Sequence, residues 1–203
     1  MSQMMPIWTK VKVPKLLEKS LGELAPTRLA YTGDVSPFSL PLLGFYCAKK
    51  LNGEGVLKAL DFTRVVRSER ICVISDFSTL LEQESLKFLT RGNMPVFILA
   101  NSPLKAEQVM NDYFELIKTG RLNLLLALNS KVEDWSNKIR SVELAARLSK
   151  CSAVFGDTSD ARISRVTAIM KSKNCSVINF QNEKRSAVKK IFQEHLATMD
   201  ANS

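Results

Sequence analysis

The chain has 203 residues, 45% of them hydrophobic, and 29 basic against 20 acidic residues give it a net charge of +9. That length suits one compact domain with a short appendage at each end, and the excess of Lys and Arg, spread along the chain rather than gathered in one run, suits a nucleic-acid or nucleotide partner and equally a solvated basic surface. Four cysteines without a C-x-x-C pair and a lone His195 argue against zinc, the absence of a long apolar run argues against a membrane span, and reduced thiols without a secretory leader predict a cytoplasmic protein.

Residues 1–40 read as an arm. Pro14–Lys19 suits a short helix, Arg28–Thr32 an extended segment, and Gly33-Asp34 a turn. Residues 41–203 read as the main domain. Apolar runs at Leu42–Cys47, Ile71–Ser75, Val96–Ala100, Leu122–Leu128, Ala153–Phe155 and Ser176–Ile178 have the length and β-branched content of buried strands. Helix-period segments alternate with them: Glu54–Val66 with Val56, Leu57, Leu60 and Val65 on one face, a helix opened by the capping box Thr79–Glu82 and closed near Gly92, Lys105–Thr119 closed by Gly120, Glu133–Leu148 with Trp135 among its apolar positions, a helix with Ile163, Val166, Ile169 and Met170 facing inward, and Glu183–Leu196. Strands alternating with helices predict an α/β sandwich of three layers, a mostly parallel sheet of about six strands between helices.

In such a sheet, ligands sit at the carboxyl ends of the strands, where helix starts offer free N–H groups to anions. Three turns there can carry chemistry. Cys47-Ala48-Lys49-Lys50-Leu51-Asn52-Gly53-Glu54-Gly55 combines two lysines with two glycines near a helix start, without the third glycine of a dinucleotide fingerprint, which suits a phosphate or an ordinary loop with surface lysines. Ser75-Asp76-Phe77-Ser78-Thr79 offers hydroxyls and amides to an anion or a ribose, or caps its own helix, which alone explains Ser78, Thr79 and Glu82. Gly156-Asp157-Thr158-Ser159-Asp160-Ala161-Arg162 holds two carboxylates that would repel phosphate unless a sugar hydroxyl or a metal met them, so capping by Asp157 or Thr158 is the simpler account. No Ser-His-Asp or Cys-His constellation is visible, and neither Asp76 nor Asp157 has an evident acid–base partner. The residues call for no cofactor or metal.

These turns, in this order, resemble the DprA/Smf DNA-processing family of the Rossmann-like SLOG group. Leu29-Ala30-Tyr31-Thr32-Gly33-Asp34 is similar to that family's lead-in. Phe45–Lys50 lies where the family has a strand ending in Gly-Ser-Arg, Val73–Ser78 is similar to its Val-Val-Ser-Gly turn, and Leu89-Thr90-Arg91-Gly92 and Gly120-Arg121-Leu122 resemble later landmarks. The departures are specific. Cys47-Ala48-Lys49 replaces Gly-Ser-Arg, Asp76 replaces a glycine, and Ser141-Val142-Glu143 falls in an Arg-Asn-Arg region, leaving Lys138 and Arg140 as substitutes. Asp157–Asp160 stands for a glycine-rich loop, and the Pro-Gly-Gly-x-Gly-Thr signature of the phosphoribohydrolase branch is missing.

The resemblance implies a Rossmann-like domain that binds a nucleotide or single-stranded DNA without turnover, in DNA processing or recombination, and that can form a homodimer. Lys49, Lys50, Arg121, Lys138 and Arg140 would meet phosphates, with Cys47, Ala48, Gly53, Ser75, Asp76, Phe77, Ser78, Asp157, Thr158 and Ser159 completing the binding surface. Two other readings use the same residues. In one, Cys47 and Asp76 close the pocket and the domain acts only as an interaction module. In the other, Ser75, Asp76 and Asp157 orient ribose and base in a nucleotide N-glycosidase.

Overall fold

Apolar runs become strands close to where the sequence places them. The computed structural model describes residues 9–12, 28–32, 41–100, 102–128 and 138–200. Its strands are β1 (Thr9–Lys12), β2 (Arg28–Thr32), β3 (Leu42–Cys47), β4 (Cys72–Ser75), β5 (Val96–Ala100), β6 (Leu122–Leu128), β7 (Cys151–Phe155) and β8 (Ser176–Asn179). The helices are α1 (Gly53–Val66), α2 (Leu80–Leu89), α3 (Pro103–Asp112), α4 (Phe114–Lys118), α5 (Lys138–Leu148), α6 (Ala161–Ser172) and α7 (Val188–Asp200), with a 3₁₀ turn at Arg185–Ala187 before the last. Among the described residues, no helix is long and apolar enough to cross a membrane.

All strands join one 8-stranded sheet in the order β1-β2-β6-β5-β4-β3-β7-β8. From β3 to β8 every neighbouring pair is parallel, whereas β2 runs antiparallel to β6 and β1 antiparallel to β2. The sheet therefore exceeds the expected six strands, because part of the front segment extends it beyond β6. The order reverses at β3. The chain first builds outward through β4, β5 and β6, then returns to lay β7 on the other side of β3. In doubly wound sheets such a switch point opens a crevice at the carboxyl ends of the two strands.

Alternation along each strand feeds two cores. Leu43, Phe45 and Cys47 face a layer with α1, α2, α3 and α7, while Leu42, Tyr46 and Ala48 face α5 and α6. Phe45, Phe62, Phe155, Phe180 and Phe192 interlock in the first layer, with neighbouring rings 4.9–6.0 Å apart.

Several local expectations need correcting. The buried stripe of α1 is Ala59, Phe62, Thr63 and Val66, and Leu57 is exposed. The predicted Lys105–Thr119 helix breaks at Tyr113, whose backbone leaves the helical region (φ −127°, ψ 26°), giving α3 and α4. Gly92, expected to close the second helix as a left-handed cap, does not take that conformation. A Cβ there would lie 2.5 Å from the Arg67 carbonyl oxygen, so glycine permits close packing of two turns. The cap of α6 is Asp160 rather than Asp157 or Thr158. The expected helix at Pro14–Lys19, the turn at Gly33-Asp34 and the Trp135 end of the Glu133–Leu148 helix lie outside the described residues.

Candidate functional site at the carboxyl edge

The topology brings the three turns together. Cys47 and Phe155 end β3 and β7 as register partners, and the Ala48 N–H donates to the Phe155 carbonyl at 2.8 Å. One residue further, the Lys49 N–H donates to Asp160 Oδ2 at 3.1 Å. Gly156 sits at φ +134°, and a Cβ there would come within 2.4 Å of the Ala48 Cβ. Glycine is thus what lets the first and third turns touch. Ser75 ends β4, the other neighbour of β3.

The middle of this edge is filled by Arg162. It lies in the first turn of α6, where Asp160 accepts from the Arg162 and Ile163 N–H groups at 2.9 and 3.3 Å. A side chain there leans back towards the helix start. Its Nη1 donates to Asp76 Oδ2 at 3.0 Å and to Ser78 Oγ at 2.9 Å. Its Nη2 donates to both Glu82 oxygens at 2.9 and 3.0 Å and closely contacts Asp76 Oδ1. The guanidinium also lies 5.6 Å from the centre of the Tyr46 ring. Arg162 is 10% exposed, Asp76 3% and Glu82 fully buried, so this cluster is a plug.

Glu82 ties the plug to the backbone. Its oxygens accept from the N–H groups of Cys47 at 2.8 Å, Ser78 at 2.9 Å and Thr79 at 3.1 Å, and Thr79 completes the expected capping box. Burial raises the Glu82 carboxyl to about 7, with Asp76 adding to the effect and Arg162 and the N–H donors opposing it. One guanidinium faces two carboxylates here, so a proton on Glu82 would bring the cluster to neutrality. Amides that could hold a phosphate at the starts of α2 and α6 are already taken by Glu82 and Asp160.

The remaining expected residues are placed as follows. Lys49 and Lys50 are exposed, and Gly53 opens α1 behind an Asn52 cap that accepts from the Gly55 N–H at 2.8 Å. Phe77 is buried in the left-handed region (φ +44°), where its ring packs 6.5 Å from that of Phe45. Asp157, Thr158 and Ser159 are exposed, and the Ser159 N–H donates to Asp157 at 2.7 Å, which holds that carboxyl below the usual range. The helix that bears Lys138 and Arg140 starts beside the plug, where Ser141 Oγ donates to Asp76 at 3.3 Å. Arg121 does not join them. It precedes β6 at the opposite edge of the sheet and donates to the Thr90 carbonyl at 3.3 Å.

Arg162 and the deeper role of Glu82 escape sequence reading, although both stand in segments that it singles out. Glu82 is explained locally as half of a capping box, and nothing local shows that it also accepts from Cys47, 35 residues away. Among the described residues, neither nucleophilic side chain at the strand ends is poised to react. Ser75 and Cys47 are fully buried, and burial pushes the Cys47 thiol well above its ordinary value.

No family model matches this chain, and no curated protein matches it in sequence. Solved structures do share its fold. DNA processing protein A from Helicobacter pylori, described for its single-stranded DNA binding mode, superposes with a TM-score of 0.70 at 9% identity, covering 96% of this chain and 96% of that one. DprA from Streptococcus pneumoniae superposes with a TM-score of 0.66 at 11% identity, covering 95% of this chain and 71% of that one. The chain therefore has a DprA-like, Rossmann-like fold, in agreement with the resemblance carried by its turns.

Proposed function

We propose that this chain binds single-stranded DNA along the carboxyl edge of its sheet and catalyses no reaction there. The observation that carries this reading is the position of Lys49 and Lys50. They stand exposed on the switch-point turn, beside the start of α1, in a fold shared end to end with a single-stranded DNA-binding protein. The phosphates pass over the rim rather than into a pocket, meeting Lys49, Lys50 and the helix start that carries Lys138 and Arg140. Exposed Thr158 and Ser159 supply hydroxyls. DNA processing or recombination in the cytoplasm, with self-association, is the setting this reading implies.

Fluorescence anisotropy with a labelled single-stranded oligonucleotide tests it. Binding weakens with salt by roughly 0.7 of a logarithmic unit per phosphate contacted and per tenfold rise in salt. The double variant Lys49→Glu/Lys50→Glu lowers affinity at least about tenfold. No binding at low salt, or unchanged binding by the variant, refutes the proposal.

The closed-pocket reading has its own support in the Arg162 plug. It predicts that mononucleotides do not raise the melting temperature, and stabilisation by a nucleotide would count against it. The same plug weighs against the N-glycosidase reading, since Asp76 is engaged by Arg162 and Ser75 is fully buried. Product analysis with a panel of nucleoside monophosphates should return them intact.

A further inference from the structure

Among the described residues, basic charge is not confined to the carboxyl edge. There the described turns carry Lys49, Lys50 and Lys184 against Asp76, Asp157, Asp160 and Glu183, and the first turns of the helices they open add Lys105, Lys138, Arg140 and Arg162 with Glu54 and Glu82. The opposite edge, where the parallel strands begin, has a different balance. The turns that enter β4, β5, β6, β7 and β8 carry Arg67, Arg70, Arg91, Arg121, Lys150 and Lys173 against Glu69 alone. Arg64, Lys87, Lys118, Arg147 and Lys171 stand in the last turns of the helices leading there, of which Arg64 pairs with Asp61 and Lys87 with Glu84.

These turns line the starts of the strands on both sides of β3, whose own entry lies outside the described residues. The strands start nearly level, as the register pairs Leu42 with Cys72, Val96 with Leu122 and Cys151 with Ser176 show. Hydrogen bonds stitch the turns together: Asn93 N–H to the Arg67 carbonyl at 3.2 Å, Arg121 Nη2 to the Thr90 carbonyl at 3.3 Å, and Lys173 Nζ to the Ser149 carbonyl at 2.6 Å. At roughly 4.8 Å per strand, the border from β6 to β8 is about 24 Å long.

Helix ends explain only part of this. A cation near a helix C-terminus is stabilised by the dipole, and Lys173 also caps the end of α5 through three carbonyls. That leaves Arg67, Arg70, Arg91 and Lys150 exposed, and among the described residues none of them lies within ion-pair distance of a carboxylate. Arg147 and Lys150 act against Lys173, whose ammonium is lowered by burial first and by these two neighbours as well. Cations that crowd one another without acids to balance them destabilise an isolated fold and favour a polyanion.

We propose that this amino-terminal edge is a second binding surface, fitted to the sugar–phosphate backbone of a nucleic-acid duplex. Arginine is prominent, as bidentate phosphate contact favours. The turns at 67–71, 90–95, 119–121, 149–150 and 173–175 contain no aromatic residue, and the ring of Phe88 beside them is half-buried with the Arg91 guanidinium over it, 5.6 Å from its centre, instead of an unpaired base. A surface of this kind holds the backbone and leaves bases paired and unread. The inference does not depend on the carboxyl-edge reading, since the two sites share no residue.

The test uses the full chain, a labelled duplex of about twenty base pairs, an unrelated duplex of the same length and a single strand. Two sets of variants are compared: Arg70→Glu/Arg91→Glu/Lys150→Glu at this edge and Lys49→Glu/Lys50→Glu at the other, each checked for folding by circular dichroism. The expected result is salt-sensitive binding of both duplexes alike, reduced about tenfold or more by the triple variant and little by the double one. The charge-neutral Arg70→Gln/Arg91→Gln/Lys150→Gln variant should show a smaller loss in the same direction. Unchanged duplex binding by the folded triple variant overturns the proposal. So does a triple variant that loses only single-strand binding, or one that loses only adsorption to vesicles containing phosphatidylserine. Failure of the carboxyl-edge reading shows separately, as single-strand binding indifferent to Lys49 and Lys50.

Discussion

Arg162 shows how much one side chain can settle. Asp76 and Glu82 are both buried and both depend on it, so Arg162→Ala leaves two carboxylates without their cation. Breaking a buried ion pair from one side typically costs about 3–5 kcal/mol, and urea denaturation of the variant should show a loss of that order. Arg162→Lys recovers only part, because an ammonium cannot face two carboxylates with a planar fork. Glu82 adds a pH signature. Its carboxyl releases its proton near pH 7 when folded, against an ordinary value of 4.5. Between those values the folded state binds more protons than the unfolded state. This group's contribution to stability is therefore complete below the lower value and is lost as the pH rises through the higher one. Denaturation from pH 4 to pH 8 should show that decline in the native protein and a flatter profile in Glu82→Gln. Equal slopes in both would mean that Glu82 stays ionised throughout.

At the scale of elements, legibility follows the range of the forces involved. Strands β3, β5 and β6 coincide with their apolar runs, because burial on both faces leaves little choice of residue. The inward face of α6 is Ile163, Val166, Ile169 and Met170, as its period implies. The face of α1 is misread because Phe62 is the residue that the aromatic layer needs, and a helix with Val56, Leu57, Leu60 and Val65 offers a second apolar stripe of similar strength. Lys58 sharpens the point. It is buried on that helix because its ammonium reaches the Phe180 and Gln181 carbonyls at 3.3 and 3.2 Å, contacts made across more than 120 residues of chain. The same holds at the carboxyl edge. Turn positions and the capping box are local and can be read directly. The plug joins α2, β3, α6 and the turn after β4, and only the assembled sheet brings those elements together.

For the whole molecule, the two edges lie one strand length apart. β3 has 6 residues, which corresponds to about 20 Å from the amino-terminal border to the rim that carries Lys49 and Lys50. A single nucleic-acid molecule can therefore meet both, provided that it is duplex at one end and single-stranded at the other. Two contacts made by one ligand reinforce each other through effective concentration, even when neither contact changes. A duplex with an overhang of about ten nucleotides, within the roughly 4–16 that single-strand sites cover, should bind at least about tenfold more tightly than the blunt duplex or the single strand alone. Each set of charge-reversing variants should remove that advantage and return affinity to the level of the remaining contact. If the overhang adds nothing in competition titrations at constant salt, the edges do not act on one molecule, and the polarised charge serves two separate partners.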